Sequence, residues 1–195
     1  MTTTASARGR EVRHRLLAAA TELIPEVGWS SVSTRLLAER AGVAPGLVHY
    51  HFESLAVLLR QAALDVFRQA LSGTEAALAP APDLDAGLEL LLASLDGYSG
   101  ADPTSLLFIE TYLAATRDQA LGDELAELLY EFRSRLASWL RQHGAGDPEQ
   151  TAAVLAAAVD GVMLHRALDP GLTSATVSPA LRRLLATGPD RRRDT

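Results

Sequence analysis

Apolar residues recur at three- and four-residue spacing through most of the chain and strict alternation is absent, a pattern that predicts helices and no strands. Val12, Leu16, Leu17, Ala20, Leu23, Ile24 and Val27 trace the first stripe, and Pro25 loosens its last turn. Ser33 or Thr34 can cap the next helix, in which Leu36, Leu37 and Ala41 share a face, and Gly42 supplies the left-handed backbone that stops it. Val43 plugs the core below the turn. Pro45, with its fixed φ and no N–H, suits the first position of a further short helix carrying Gly46 to His51. Two short helices on so tight a link read as a helix-turn-helix, a unit that grips DNA.

Beyond it the stripe Leu55, Leu58, Leu59, Ala62, Val66 and Ala70 predicts a long helix over 54–78. Ala79-Pro80-Ala81-Pro82 cannot continue that helix and marks the clearest boundary, after which Asp83 can cap a helix to about Tyr98. Asp102-Pro103, Asp147-Pro148 and Ser178-Pro179 each place a capping side chain before a proline at the first helical position, and Asp147 with Gln150 has capping-box spacing. The spans that follow are about 103–117, 121–143, 148–168 and 179–187, with Asp169-Pro170-Gly171 closing the Ala-rich third.

Composition narrows the class of molecule. Nearly half the residues (48%) are apolar, so a packed core is available, and there is no apolar run of membrane-spanning length, about 18 residues. With no signal-peptide pattern at the start, a cytoplasmic protein without a membrane partner is expected. No cysteine is present, which excludes disulfides and thiolate metal sites. The net charge of −6 is uneven: residues 1–53 hold six Arg against five Glu, and the remainder twelve Arg against nineteen acids. A polyanion is therefore met by the head and repelled by the body. Arg8 and Arg10 belong to a tail that can reach a minor groove as basic arms do, or stay solvated; the same choice holds for Arg191-Arg192-Arg193.

The ordered run Leu16-Leu17-Ala18-Ala19-Ala20, Gly28-Trp29, Ser33-Thr34-Arg35, Ala38-Glu39-Arg40-Ala41-Gly42-Val43 and Tyr50-His51-Phe52 resembles the DNA-binding region of the TetR family of bacterial transcriptional regulators over about Arg10 to Leu59. The resemblance implies an all-α fold: an N-terminal three-helix helix-turn-helix head joined by a long helix to a C-terminal helical ligand-binding and dimerisation domain. It implies that the third helix lies in the major groove, with Pro45, Gly46, Leu47, His49, Tyr50 and His51 at base edges and phosphates, and Thr34 and Arg35 at the backbone or an outlying base. Elementary chemistry agrees, since hydroxyls and imidazoles donate to phosphate oxygens and Leu47 can press a thymine methyl. Phe52 reads as core. Two departures stand out: many members carry tyrosine where His49 stands, and a phosphate-binding lysine where Leu55 stands.

The implied partition is a DNA-binding domain 1–53 with a flexible tail 1–9, a connecting helix 54–79, a ligand-binding and dimerisation domain 83–188, and a flexible tail 189–195. The last two helices are the candidate homodimer elements, through Ala152, Leu155, Ala156, Val159, Leu181, Leu184 and Leu185. Phe108 and Tyr112, four apart on one helix face, with Tyr98, Glu110, Trp139 and Met163, are the candidate pocket for an apolar or aromatic effector. The implied function is a repressor bound to a double-stranded palindromic operator and released by a small molecule. The alternative is an all-helical small-molecule-binding protein or enzyme without DNA binding. The enzyme reading lacks parts: no phosphate-cradling Gly loop, no Cys/His cluster and no Ser/His/Asp order in a strand-turn-helix context. No cofactor, metal ligand or catalytic residue is expected, because His165 suits an ion pair with Asp169 and His49 and His51 do not share a helix face.

Overall fold

The computed structural model describes residues 3–186, with the side chains of 7–183 and of Leu185. Among the described residues all regular structure is helical: α1 (Thr3–Val27), α2 (Thr34–Ala41), α3 (Gly46–His51), α4 (Leu55–Leu78), α5 (Leu84–Ser94), α6 (Pro103–Ala115), α7 (Gln119–Gln142), α8 (Pro148–Arg166) and α9 (Ser174–Ala186). Single 3-10 turns lie at Trp29–Ser31 and Leu95–Gly97. The chain forms two compact units, one made of the residues up to Arg68 with Leu106–Leu125, the other of Gln69–Ser105 with the residues from Ala126 on. Most of α6 and the first turns of α7 therefore group with the head helices, a long-range association that no boundary drawn along the chain contains.

The first unit is built on α1. Leu16, Ala20, Leu23 and Ile24 fall on one face of it and are buried, as are Leu37, Ala38 and Ala41 of α2, Val48 of α3 and Leu58, Leu59 and Ala62 of α4. Each buried Leu, Ile or Val is worth about 1.5–3 kcal/mol relative to exposure, which is what holds helices as short as α2 and α3 in place. α1 begins at Thr3, so residues 3–9, expected in a flexible tail, are helical. Ala5, Ala7, Arg8 and Arg10 are good helix formers with no proline among them. The expected tail 189–195 lies outside the described residues.

In the second unit Leu88, Leu91 and Leu92 of α5, Leu136 and Leu140 of α7, Leu155 and Met163 of α8 and Leu181 of α9 are buried. Gly87 is the point of closest approach, because a Cβ there would stand 2.1 Å from Cη2 of Trp139. The Trp139 ring also stacks on His143, centroid to centroid 4.3 Å. Arg166, at the end of α8, gathers backbone carbonyls: Nε donates to Leu172 O at 2.7 Å and Nη1 to Leu95 O at 2.6 Å and Tyr98 O at 2.8 Å. A guanidinium's fixed fork of donors suits such a set of carbonyls, which lie in the turns on either side of it.

The helix starts divide by cap geometry. Asp83 accepts from Ala86 N–H at 2.8 Å and opens α5 as expected. Asp102 opens α6: Oδ1 accepts from the N–H groups of Thr104 and Ser105, each at 3.0 Å, and Oδ2 from Ser99 N–H at 2.6 Å and the Ser105 hydroxyl at 2.5 Å. Asp147 does not cap α8. Its backbone is left-handed (φ 44°, ψ 55°), not the extended form a cap needs, and its side chain makes no capping bond. α9 starts at Ser174, and Pro179, expected to open it, lies inside the helix. Thr173 and Thr176 form a reciprocal cap, Thr176 N–H on Thr173 Oγ1 at 3.3 Å and Thr173 N–H on Thr176 Oγ1 at 2.9 Å, which begins the helix earlier than the proline does.

Burial alone would raise the pKa of Asp102, but the hydrogen bonds from Ser105 and Ser99 outweigh it and hold the carboxylate below its ordinary 3.8. A depressed carboxylate pKa contributes stability that is present above the ordinary value and is lost as pH falls through the lower folded value. Asp102→Ala should therefore cost about 1 kcal/mol or more near neutral pH, the usual worth of a cap. Denaturant unfolding of both proteins across pH should show the difference shrinking below pH 3.8.

Candidate nucleic-acid interface

Ser33, extended at φ −117° and ψ 156°, accepts from Leu36 N–H at 3.2 Å and starts α2. Gly42 ends it at φ 63° and ψ 40°, with Gly42 N–H on Glu39 O at 3.1 Å and Val43 N–H on Ala38 O at 3.0 Å, the Schellman pattern. Two carbonyls still point out of this turn, those of Ala41 and Gly42. Arg15 of α1 donates Nη2 to both, at 2.8 Å to Gly42 O. A cation at a helix C-terminus is favourable in any case, and this one also fixes the turn. The positive φ favours glycine here, and a Cβ would also stand 2.6 Å from that guanidinium, which would have to shift off the turn. Arg40 ties the same helix to α1 through Glu26 at 2.6 Å and Glu22 at 3.4 Å.

α3 then has one face for the core and one for solvent. Leu47 N–H on Ala44 O (3.0 Å) and Val48 N–H on Pro45 O (3.2 Å) carry the chain into the helix. Val48 is wholly buried and Phe52 nearly so, the latter beneath the Arg13 guanidinium at 5.0 Å. On the other side Pro45, Gly46 and His49 are exposed, Leu47 and His51 are half-buried, and Tyr50 is 80% exposed. Tyr50 meets His51 edge-to-face at 5.0 Å. On α2, Arg35 is exposed and Thr34 half-buried. The ring and hydroxyl of Tyr50 are thus both open to a partner. Leu55, at the first position of α4, brings no cation there.

The effector candidates are not brought together in one unit. Phe108 and Tyr112 stand against Phe67 of α4, at 4.4 Å and 5.7 Å between ring centroids. In the sequence Phe67 reads as one more apolar residue of a long helix, with nothing to set it apart. Glu110, half a turn away from the pair, points elsewhere and accepts from Trp29 N–H at 2.7 Å. Tyr98, Trp139 and Met163 belong to the second unit. There Trp139 is occupied by Gly87 and His143, Met163 is buried, and burial with the Asp102 charge raises the Tyr98 hydroxyl above its ordinary 10.0.

Of the candidate dimer residues, Ala152, Leu155 and Leu181 are buried inside the protomer, and Ala156, Val159 and Leu185 are half-buried. The Leu184 side chain lies outside the described residues. The first three pack the core and offer no surface. The open face of α8 is the opposite one, with Val154 at 51% and Leu164 at 48% exposure, Ala157 between them and open space around Gly161. An Ala-rich helix that is apolar all round gives the sequence no means of telling inward from outward.

Among the described residues no group of three or more His, Asp or Glu side chains is placed to hold a metal ion, and no helix is long and apolar enough to cross a membrane. The pinned turn, the two-faced third helix and the helical remainder define a helix-turn-helix DNA-binding protein. Comparison with known proteins agrees. Residues 16–68 match the model for bacterial regulatory proteins of the tetR family, and residues 82–187 that for the tetracyclin repressor-like C-terminal domain. A solved transcriptional regulator from Streptomyces coelicolor A3(2) is 33% identical, with a TM-score of 0.74 over 91% of this chain and 99% of that one. An HTH-type transcriptional regulator of Mycobacterium tuberculosis (strain ATCC 25618 / H37Rv) is 28% identical over 196 residues, 96% of this chain and 100% of the relative. A regulator from Saccharomonospora viridis, solved in complex with choline, is 20% identical and shares the fold, with a TM-score of 0.76 over 91% of this chain and 97% of that one. The chain belongs to the TetR family and is a DNA-binding transcriptional regulator.

Replacing Tyr50 by Phe removes one hydroxyl from an exposed ring, so the fold should be unaffected and DNA affinity should fall by about 0.5–1.5 kcal/mol, the net worth of a hydrogen bond. Fluorescence anisotropy with circular dichroism as the folding control measures both. Leu47→Ala should instead change which base is preferred, read by binding to a set of single-base variants of one duplex.

Proposed function

We propose that this protein is a homodimeric repressor that acts in the cytoplasm, binds an inverted-repeat operator in double-stranded DNA and leaves it when a small molecule binds. The observation that carries the reading is the outward face of α3: Pro45, Gly46, His49 and an 80% exposed Tyr50 on a helix anchored from behind by Val48 and Phe52. Leu47, His51, Thr34 and Arg35 complete the proposed contact set. Its hydrogen-bonding groups suit phosphate more than base edges, so affinity is dominated by the backbone and falls steeply with salt. A single six-residue helix reads too little DNA for useful affinity. Two heads on a two-fold axis meet half-sites about 34–36 Å apart, or a multiple of that.

The dimer is formed through the open apolar face of α8, Val154, Ala157, Gly161 and Leu164, with α9 beside it in sequence. Small residues let two such helices approach closely, and a face left in water would expose apolar area with no return. The effector is apolar or aromatic and enters by parting the Phe67, Phe108 and Tyr112 rings, of which the two phenylalanines are buried against each other. It binds the arrangement that cannot hold DNA more tightly; a hundredfold preference, about 2.7 kcal/mol, is enough, and operator DNA must weaken effector binding by the same factor. The protein acts by binding and carries out no reaction.

Selection of a random-sequence duplex library with the purified protein tests the whole reading: the enriched sequences should form an inverted repeat, and failure to enrich any sequence at low salt overturns it. Val154→Asp with Leu164→Asp should yield a folded monomer by sedimentation and abolish binding to the enriched duplex. A parent that is monomeric at micromolar concentration and still protects both half-sites overturns the dimer.

A further inference from the structure

The Trp29 N–H opens the 3-10 turn Trp29–Ser31, and the first N–H groups of any helical turn lack partners within it. The residue in the capping position is Gly28, which has no side chain to offer and stands at φ 81° and ψ 149°, a conformation only glycine holds easily. The missing acceptor comes from 81 residues away: Glu110 of α6 places Oε2 2.7 Å from the Trp29 nitrogen. The carboxylate lies directly over Gly28, where a Cβ would be 3.6 Å from Oε2 and 3.7 Å from Oε1. Beyond the turn the chain has no slack. Ser31 N–H returns to Gly28 O at 3.1 Å, Val32 is buried, and Ser33 at once caps α2, whose first residues are Thr34 and Arg35.

We propose that Glu110 is a positioning residue for DNA binding: from α6 it caps the corner between α1 and α2 and so sets the angle at which Thr34 and Arg35 meet the phosphate backbone. The proposal rests on the reading that the start of α2 faces DNA. It gives α6 two jobs on opposite sides, since Phe108 and Tyr112 stand against Phe67 while Glu110 holds the head. A displacement of α6 at its aromatic side is thereby delivered to the DNA-contacting helix without passing along the chain.

The test is a double-mutant cycle on the duplex enriched by the parent protein, with variants E110A, R35A and the pair. E110A should bind about tenfold more weakly, because only a fraction of the heads then holds Thr34 and Arg35 in the DNA-competent arrangement, with helicity retained. Its salt dependence should be flatter by about one phosphate contact. R35A should cost about as much in the parent and little more in E110A, because Arg35 is already misplaced there. E110Q, whose amide oxygen can still accept, should recover binding to within about threefold of the parent. If E110A loses helicity, E110D, with the charge kept and the reach shortened by one methylene, takes its place in the cycle. E110A (or E110D) binding as the parent does, or costs that simply add in the pair, overturns the proposal. R35A binding as the parent does overturns instead the reading that Arg35 faces DNA.

Discussion

The burial of Val48 and Phe52 is the contact on which the DNA-binding half of the molecule depends. α3 has six residues, too few for a helix to persist in water, and its exposed side chains contribute little to holding it. Its conformation is therefore borrowed from the core behind it. The same arrangement explains why the outward face can vary in chemistry at little structural cost: Gly46 and His49 are exposed and are not asked to stabilise the fold. Reading DNA and staying folded are assigned to different sides of the same turn and a half of helix.

Around that apolar anchor lies a set of polar bonds that do not follow chain order. Arg15 closes the carbonyl end of α2, Arg40 ties α2 to Glu26 and Glu22, and Glu110 reaches the corner before it. Individually the exposed pairs are worth little, because solvent screens them. The bonds of Arg15 and Glu110 differ in kind. They go to backbone groups that the helical turns would otherwise leave unpaired, so they hold the corner and the turn in place as well as adding stability. A helix-turn-helix is recognised by its turn, and here the helix before that turn starts on Ser33 and stops at Gly42, while side chains of α1 and α6 brace the backbone just beyond each end.

Much of the fold could be read from residues because the signals were local. Ser33, Gly42, Asp83 and Asp102 each act within a few positions of themselves, and the structure places all four where their chemistry predicts. Two kinds of competition defeat the rest, a rival local signal at some helix starts and packing between elements elsewhere. Asp147 and Ser178-Pro179 look like helix openings of the same kind, yet a left-handed backbone disables the one and the Thr173–Thr176 pair pre-empts the other. In α8 the apolar residues surround the helix, so the buried face had to come from packing. Glu110 stands between Phe108 and Tyr112 in sequence, but half a turn of helix sends it to Trp29. The clamp of Arg15 had no local signal, since nothing separates it from the other arginines of α1 until α2 is folded beside it.

The chain has two tryptophans, and each compact unit holds one. Trp29 sits at the corner held by the Glu110 carboxylate, and Trp139 lies against Gly87 and over the His143 ring. The molecule thus carries an intrinsic optical reporter in each half, in different surroundings. Removing either indole leaves a single-site probe, by which the two halves can be watched separately as the protein unfolds or changes state, with no label attached to it.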